Sequence, residues 1–137
     1  VGADPLPVKF FRLCQHLLID QPPDDLAVLD DAAFGAEAPR LPNTTCISMP
    51  GVKAETQVMA LDLAGVCVSA GAACSSGKVT RSSVLLAMGV DATMADSALR
   101  ISLGWDSGAG DIERLIEAWR DLYIRVNSSD MVRARAA

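Results

Sequence analysis

Near the C-terminus, Ile112, Leu115, Ile116, Trp119, Leu122, Tyr123 and Val126 recur at spacings of three and four. That period draws one apolar stripe along an amphipathic helix. Such a helix needs a second layer to cover its stripe, and the residues before it offer one. Thr45, Ile47 and Met49 alternate along TCISM as a strand does, and Pro50-Gly51 reads as a turn. KAETQVMALDLAG reads as a helix stopped by Gly65, and VCVS as a short strand. VLLAM reads as a short helix that Ser82 or Ser83 caps and Gly89 ends. Thr93 to Asp96 resembles a capping box with Asp in place of Glu. LRISL is a further strand: Leu99, Ile101 and Leu103 share one face, so Arg100 and Ser102 point to the other. Strands and helices therefore alternate from 43 to 127, as in a small two-layer α/β unit.

Residues 1–42 carry weaker signals. VKFFRLCQHLLI fits a short helix with Phe11, Leu13, Leu17 and Leu18 among its buried positions, and Gln21-Pro22-Pro23 stops it. DDLAVLDDAAFG is acidic and ambiguous, and Pro39 and Pro42 mark a loop. A chain of 137 residues fits one domain with a real core. The net charge of −5 argues against nucleic acid as a partner, since phosphate contacts need clustered Lys and Arg. The one basic cluster, Arg133 and Arg135, reads as part of a frayed tail, 128–137. No apolar run approaches the roughly 18 residues of a spanning helix, so no membrane partner is expected. The N-terminus lacks a charged-then-apolar signal pattern, and a cytoplasmic location is expected. The start at Val1 fits a piece of something longer or a short form with an unusual start.

Four cysteines stand at 14, 46, 67 and 74, without a CxxC pair, and the one histidine, His16, cannot complete a zinc set. No metal is expected, and reduced thiols are favoured over disulfides. Core packing is the expected role of Cys46 and Cys67, a helix-surface place that of His16, and packing anchors those of Trp105 and Trp119. The N-x-[ST] matches at Asn43 and Asn127 have no meaning in a cytoplasmic chain.

The segment 69–77 follows a strand, carries almost no bulky side chain and sets Cys74 among Ser, Ala and Gly. Backbone N–H groups in such a loop can approach a thiolate, which lowers its pKa and makes it nucleophilic. The competing reading is a turn with an incidental buried cysteine. A phosphate loop is excluded: Gly71 to Lys78 has five residues between the glycines, and Val79 follows the lysine where Ser or Thr is needed.

SAGAACSSGKVTRSSVLLAMG followed by ALRISLGWDSGAGDIERLIEAW resembles the C-terminal part of pyridoxal-phosphate-dependent cysteine desulfurases, in the class V aminotransferase superfamily. RLPNTTCISMPGV resembles the same family's Pro-Asn-Thr strand and turn, and the likeness runs from about Phe34 to Trp119. The resemblance implies a small C-terminal domain, 34–127, with a three- or four-stranded sheet covered by helices. Residues 1–33 stay unassigned. It further implies that Cys74 is the nucleophile, attacking the sulfur of L-cysteine and keeping it as a persulfide for a scaffold or thiolation partner. Arg100 matches the arginine that holds the substrate carboxylate, for which a guanidinium fork is suited. Without the resemblance, a surface salt bridge is the expected role of Arg100. Asn43 matches the family's Asn, although a turn or capping role serves equally well. The chain departs from the family pattern at Ala70 and Ala72, at Ser83 in place of His, and at Arg81 in place of Pro. The last two fall near the far hinge of the Cys74 segment.

In the family a preceding large domain supplies the Schiff-base lysine, a stacking His and an Asp for the cofactor. The lysines here are Lys9, Lys53 and Lys78, none after Ser-x-His, so no residue of this chain is expected to bind pyridoxal phosphate in the family's way. Desulfuration by these residues alone is therefore not expected. The alternatives are a non-enzymatic module that accepts a persulfide or binds a desulfurase, and a fragment of a selenocysteine lyase or another class V enzyme. The expected partners are the missing cofactor-binding domain or a desulfurase, a sulfur-accepting scaffold that could share a transient iron–sulfur ligation by Cys74, and a second copy of the chain.

Overall fold

The computed structural model describes residues 33–35, 38, 39, 41, 43–71 and 81–136, those from 129 onward by backbone alone. The elements run β1 (Thr44–Ser48), α1 (Ala54–Leu63), β2 (Ser69–Ala70), α2 (Ser83–Ala87), α3 (Ala92–Asp96), β3 (Ala98–Ser102) and α4 (Ala109–Ala136). The three strands form one sheet in the order β1-β3-β2. Both pairings are antiparallel, with Cys46 opposite Arg100 on one side of β3 and Ser69 opposite Arg100 on the other. Beyond β1, Ala33 adds an isolated bridge to Ile47, held by Phe34 N–H donating to the Cys46 carbonyl at 2.9 Å.

Among the described residues the expected helices, and the strands read in TCISM and LRISL, stand where the patterns put them to within a residue or so, within a sheet of three strands covered by helices. Thr45, Ile47, Leu99 and Ile101 are buried together on one face. Against them pack Val52, Leu61, Ile112, Leu115, Trp119 and Leu122, so the stripe of α4 and part of α1 close this face. Burying side chains of this size contributes roughly 1.5–3 kcal/mol each before entropy is counted. A smaller cluster, Leu85, Ala95 and Ala98, ties α2 and α3 to the opposite face at one end of the sheet.

Several local expectations need correction. The strand read in VCVS is only Ser69–Ala70, because β3 offers ladder partners to those residues alone. Val66 and Val68 instead lean against the core outside the ladder. The cap of α3 is Asp91, whose carboxylate accepts from the Thr93 N–H at 2.8 Å, so Thr93 is not the capping residue. Trp105 is 99% exposed and packs on nothing among the described residues, while Trp119 is the anchor it was expected to be. Cys67 is exposed and Cys46 half-buried beside the smaller cluster, so packing describes only the second. Helix α4 runs to Ala136, through residues read from the sequence as a tail. The helix expected around Phe11 to Leu18, with Cys14 and His16, lies outside the described residues.

The buried face has one polar knot. Gln57 is fully buried; its Nε2 donates to the carbonyls of Val52 and Ser97, each at 2.8 Å, and its Oε1 accepts from Trp119 Nε1 at 3.1 Å. One side chain thus joins α1, the start of β3 and α4. Ser48 and Ser97 share a 2.6 Å hydroxyl contact just beside it, and both also reach the Met94 carbonyl at 3.1 Å. Buried polar groups are tolerated when they are bonded in this way.

Candidate functional site

Strand alternation decides where Arg100 goes. Its neighbours Leu99 and Ile101 are buried on the packed face, so its guanidinium emerges on the other, exposed. The antiparallel register sets Cys46 and Ser69 directly beside it, so one row across the sheet reads Cys46, Arg100, Ser69. Among the described residues no carboxylate pairs with Arg100. The surface salt bridge that its sequence position would otherwise suggest is therefore not seen there.

Arg100 lines a cleft of about 400 Å³ floored by Cys46, Ala98 and Leu99 and walled by Val84, Leu85 and Met88 of α2 and its C-cap. Gly71, Ser82 and Ser83 complete its rim. Cys74 itself, with 72–80, lies outside the described residues. Gly71, which precedes that segment, and Ser82, the second residue after it, both line the cleft that holds Arg100. Ser82 caps α2, its hydroxyl accepting from Leu85 N–H at 3.3 Å, as Ser at that position suggests. Gly71 turns the chain out of β2 with a φ of 63°, a left-handed conformation that glycine adopts without strain.

Arg81, beside Ser82, makes a two-pronged ion pair with Asp96 at the end of α3: Nε to Oδ1 and Nη2 to Oδ2, each 2.6 Å. The hydrogen bonds from Arg81, and then its charge, hold the Asp96 carboxyl below the usual range, with help from Lys53. Asp96 in turn raises the Arg81 pKa. No sequence pattern reveals this pair, because fifteen residues separate its members.

Asn43 does not line the cleft. Its Nδ2 donates to the Leu103 carbonyl at 3.4 Å, and Leu103 N–H donates to the Asn43 carbonyl at 2.8 Å, extending the β1–β3 ladder by one step. The pyridoxal phosphate implied by the resemblance finds no lysine or histidine among the described residues lining the cleft. Lys53 sits at the start of α1 in a separate hollow with Asp96. These residues do not fit that cofactor, and the chemistry open to them is anion binding beside a thiol-bearing segment. No cluster of metal-ligating side chains occurs among the described residues, and no helix there is long and apolar enough to cross a membrane.

Comparison with known proteins sharpens this. A cysteine desulfurase from Cereibacter sphaeroides is 47% identical over 84 residues, which are 61% of this chain and 22% of that protein. An IscS-like cysteine desulfurase from Mycobacterium tuberculosis is 35% identical over 114 residues, 82% of this chain and 29% of that protein. A NifS-like protein from Rickettsia africae superposes with a TM-score of 0.57 at 36% identity, over 66% of this chain and 22% of that one. The chain thus spans less than a third of the length of these relatives. The profile of the aminotransferase class-V family matches residues 12–115, starting upstream of Phe34. A match over most of the chain, joined to relatives and a fold of the same kind, places this protein in the aminotransferase class-V family.

Proposed function

We propose that this chain is the sulfur-handling part of a cysteine desulfurase, with Cys74 carrying sulfur as a persulfide and Arg100 holding the carboxylate of L-cysteine. The carrying observation is that Arg100 lines one cleft with Gly71, just before the Cys74 segment, and Ser82, two residues after it. Two residues, Ala72 and Ala73, separate Gly71 from Cys74, and three Cα-to-Cα steps span at most about 11 Å at full extension. A forked guanidinium suits a carboxylate, and the apolar wall of Val84, Leu85 and Met88 raises the worth of that contact by thinning the water around it. The described residues supply no cofactor lysine, so the chain acts with a cofactor-bearing domain or partner desulfurase and does not release sulfur from cysteine alone. The cytoplasm, where thiols stay reduced, suits such a carrier. A sulfur-accepting scaffold is the expected recipient.

In loading from a partner, the Cys74 thiolate bonds to the terminal sulfur of the donor persulfide while the donor's S–S bond breaks and its thiolate leaves. Incubation of the full chain with an active desulfurase and L-cysteine should add one sulfur to Cys74, detected by mass spectrometry and absent in Cys74→Ser. The role of Arg100 is read in a parallel arm with two alkylating agents of similar size. Iodoacetate, a carboxylate, should gain on neutral iodoacetamide at Cys74, relative to the same ratio at exposed Cys67. Arg100→Gln should abolish that gain. No sulfur on Cys74, or a ratio indifferent to Arg100, would reject the corresponding half of the proposal.

A further inference from the structure

The cleft beside Arg100 is larger than L-cysteine needs. At about 400 Å³ it falls in the range of roughly 300–1,000 Å³ that drug-sized ligands occupy, and L-cysteine fills only a fraction of it. Phe34, Cys46, Val84, Leu85 and Met88 line it, and Arg100 is the one charged side chain that does so among the described residues. Val84 and Met88 are 66% and 54% exposed although both are apolar. They stand one helical turn apart on α2 and its C-cap, so they form a continuous apolar strip along the wall. Met88 also reaches across to the chain beyond β1: its Cε lies 3.9 Å from where a Cβ on Gly35 would stand. On the floor, the Cys46 carbonyl accepts from the Phe34 N–H, on the side away from β3. Cys46 and Arg100 are therefore a non-hydrogen-bonded pair, the kind whose side chains approach most closely. One cation thus rises from an apolar floor opposite an apolar wall.

A bare carboxylate gains little from an exposed guanidinium, and the net charge of −5 repels anions at large. A ligand that also covers the wall gains from both contacts. We propose that this cleft is a site for carboxylates bearing an apolar body, an aryl- or alkyl-carboxylate several carbons long. Arg100 holds the carboxylate, and the body lies along Val84, Leu85 and Met88. Such a ligand takes the place of L-cysteine and competes with it. The inference rests on the reading of Arg100 as a carboxylate anchor, and the test separates the two.

The experiment is an NMR titration of the full chain with acetate, phenylbutyrate and the neutral phenylbutanol. Phenylbutyrate should bind at least about ten-fold more tightly than either of the others, because it alone makes both contacts. Arg100→Gln should lower its affinity to that of the alcohol. Val84→Ser combined with Met88→Ser changes exposed positions and leaves Leu85 in its cluster, and it should lower the affinity toward that of acetate. Phenylbutyrate binding no tighter than acetate, while the iodoacetate preference at Cys74 still depends on Arg100, would overturn the inference and leave the anchor standing. Phenylbutanol matching phenylbutyrate would mark an apolar face covered by another protein surface, and would overturn it too. If Arg100→Gln alters neither the alkylation ratio nor phenylbutyrate binding, both readings fall.

Discussion

The two faces of the sheet divide the labour of this small domain. On one, Leu99 and Ile101 of β3 meet Leu61 of α1 and Ile112, Leu115 and Trp119 of α4, and every polar group of Gln57 is paired. On the other, Arg100 of the same strand stands between Cys46 and Ser69 over a cleft that, among the described residues, α2 and α3 cover at one end. A strand turns successive side chains to opposite sides, so five residues of β3 serve stability and chemistry at once. The closed face can tolerate little change, whereas the open face can vary in charge with little effect on the fold. Substitutions on the two sides test that contrast.

The largest effect is expected at Trp119, only 1% exposed at the centre of the closed face. Trp119→Ala removes the side chain and leaves a cavity, costing about 3–5 kcal/mol, and strips Gln57 of its donor. Urea unfolding monitored by circular dichroism should show the midpoint collapse. A loss under about 1.5 kcal/mol would mean that α4 is not the element that closes this face.

Gln57→Leu should rank second. Leucine fills similar space but leaves the Val52 and Ser97 carbonyls and the Trp119 N–H without their partner, a cost of about 1–3 kcal/mol in the same unfolding measurement. A neutral or stabilising result would show that water replaces the amide and that the knot is not closed. Gln57 also marks where the sequence ceased to be legible. The α4 stripe, the alternation of β1 and β3, the Ser82 cap and the stops at Gly65 and Gly89 follow local rules, and all four appear in the structure. A glutamine in a helix follows no such rule, because only the arrival of Trp119 and Ser97 from elsewhere makes its burial favourable. The same reason hid the Arg81–Asp96 pair. Trp105 erred in the other direction: an indole suggests a core, but no element of the described residues comes to cover it. The row of Cys46 and Ser69 beside Arg100 needed the antiparallel register, which alternation alone does not give.

The smallest effect concerns acid. Among the described residues the carboxylates whose pKa is displaced, Asp91 and Asp96, belong to α3 and its cap, on the cleft side of the domain. Asp91 is lowered by the Thr93 hydroxyl and then by the Thr93 N–H, and Asp96 by Arg81. In both, the folded state binds its proton less readily than the unfolded chain does. Their stabilisation is therefore complete above the ordinary aspartate pKa of about 3.9 and is lost as pH falls through their lower folded values. Two-dimensional NMR of the carboxyl carbons should give both midpoints below that value. Protection of the Thr93 amide against exchange should fall before that of the Gln57 amide, whose partner is the backbone carbonyl of Lys53. If the Gln57 amide loses protection first, acid opens the closed face before the cleft side, and the division between a rigid face and an adjustable one fails. The order of those two amides is the finer test, because it compares the faces within one molecule and one titration.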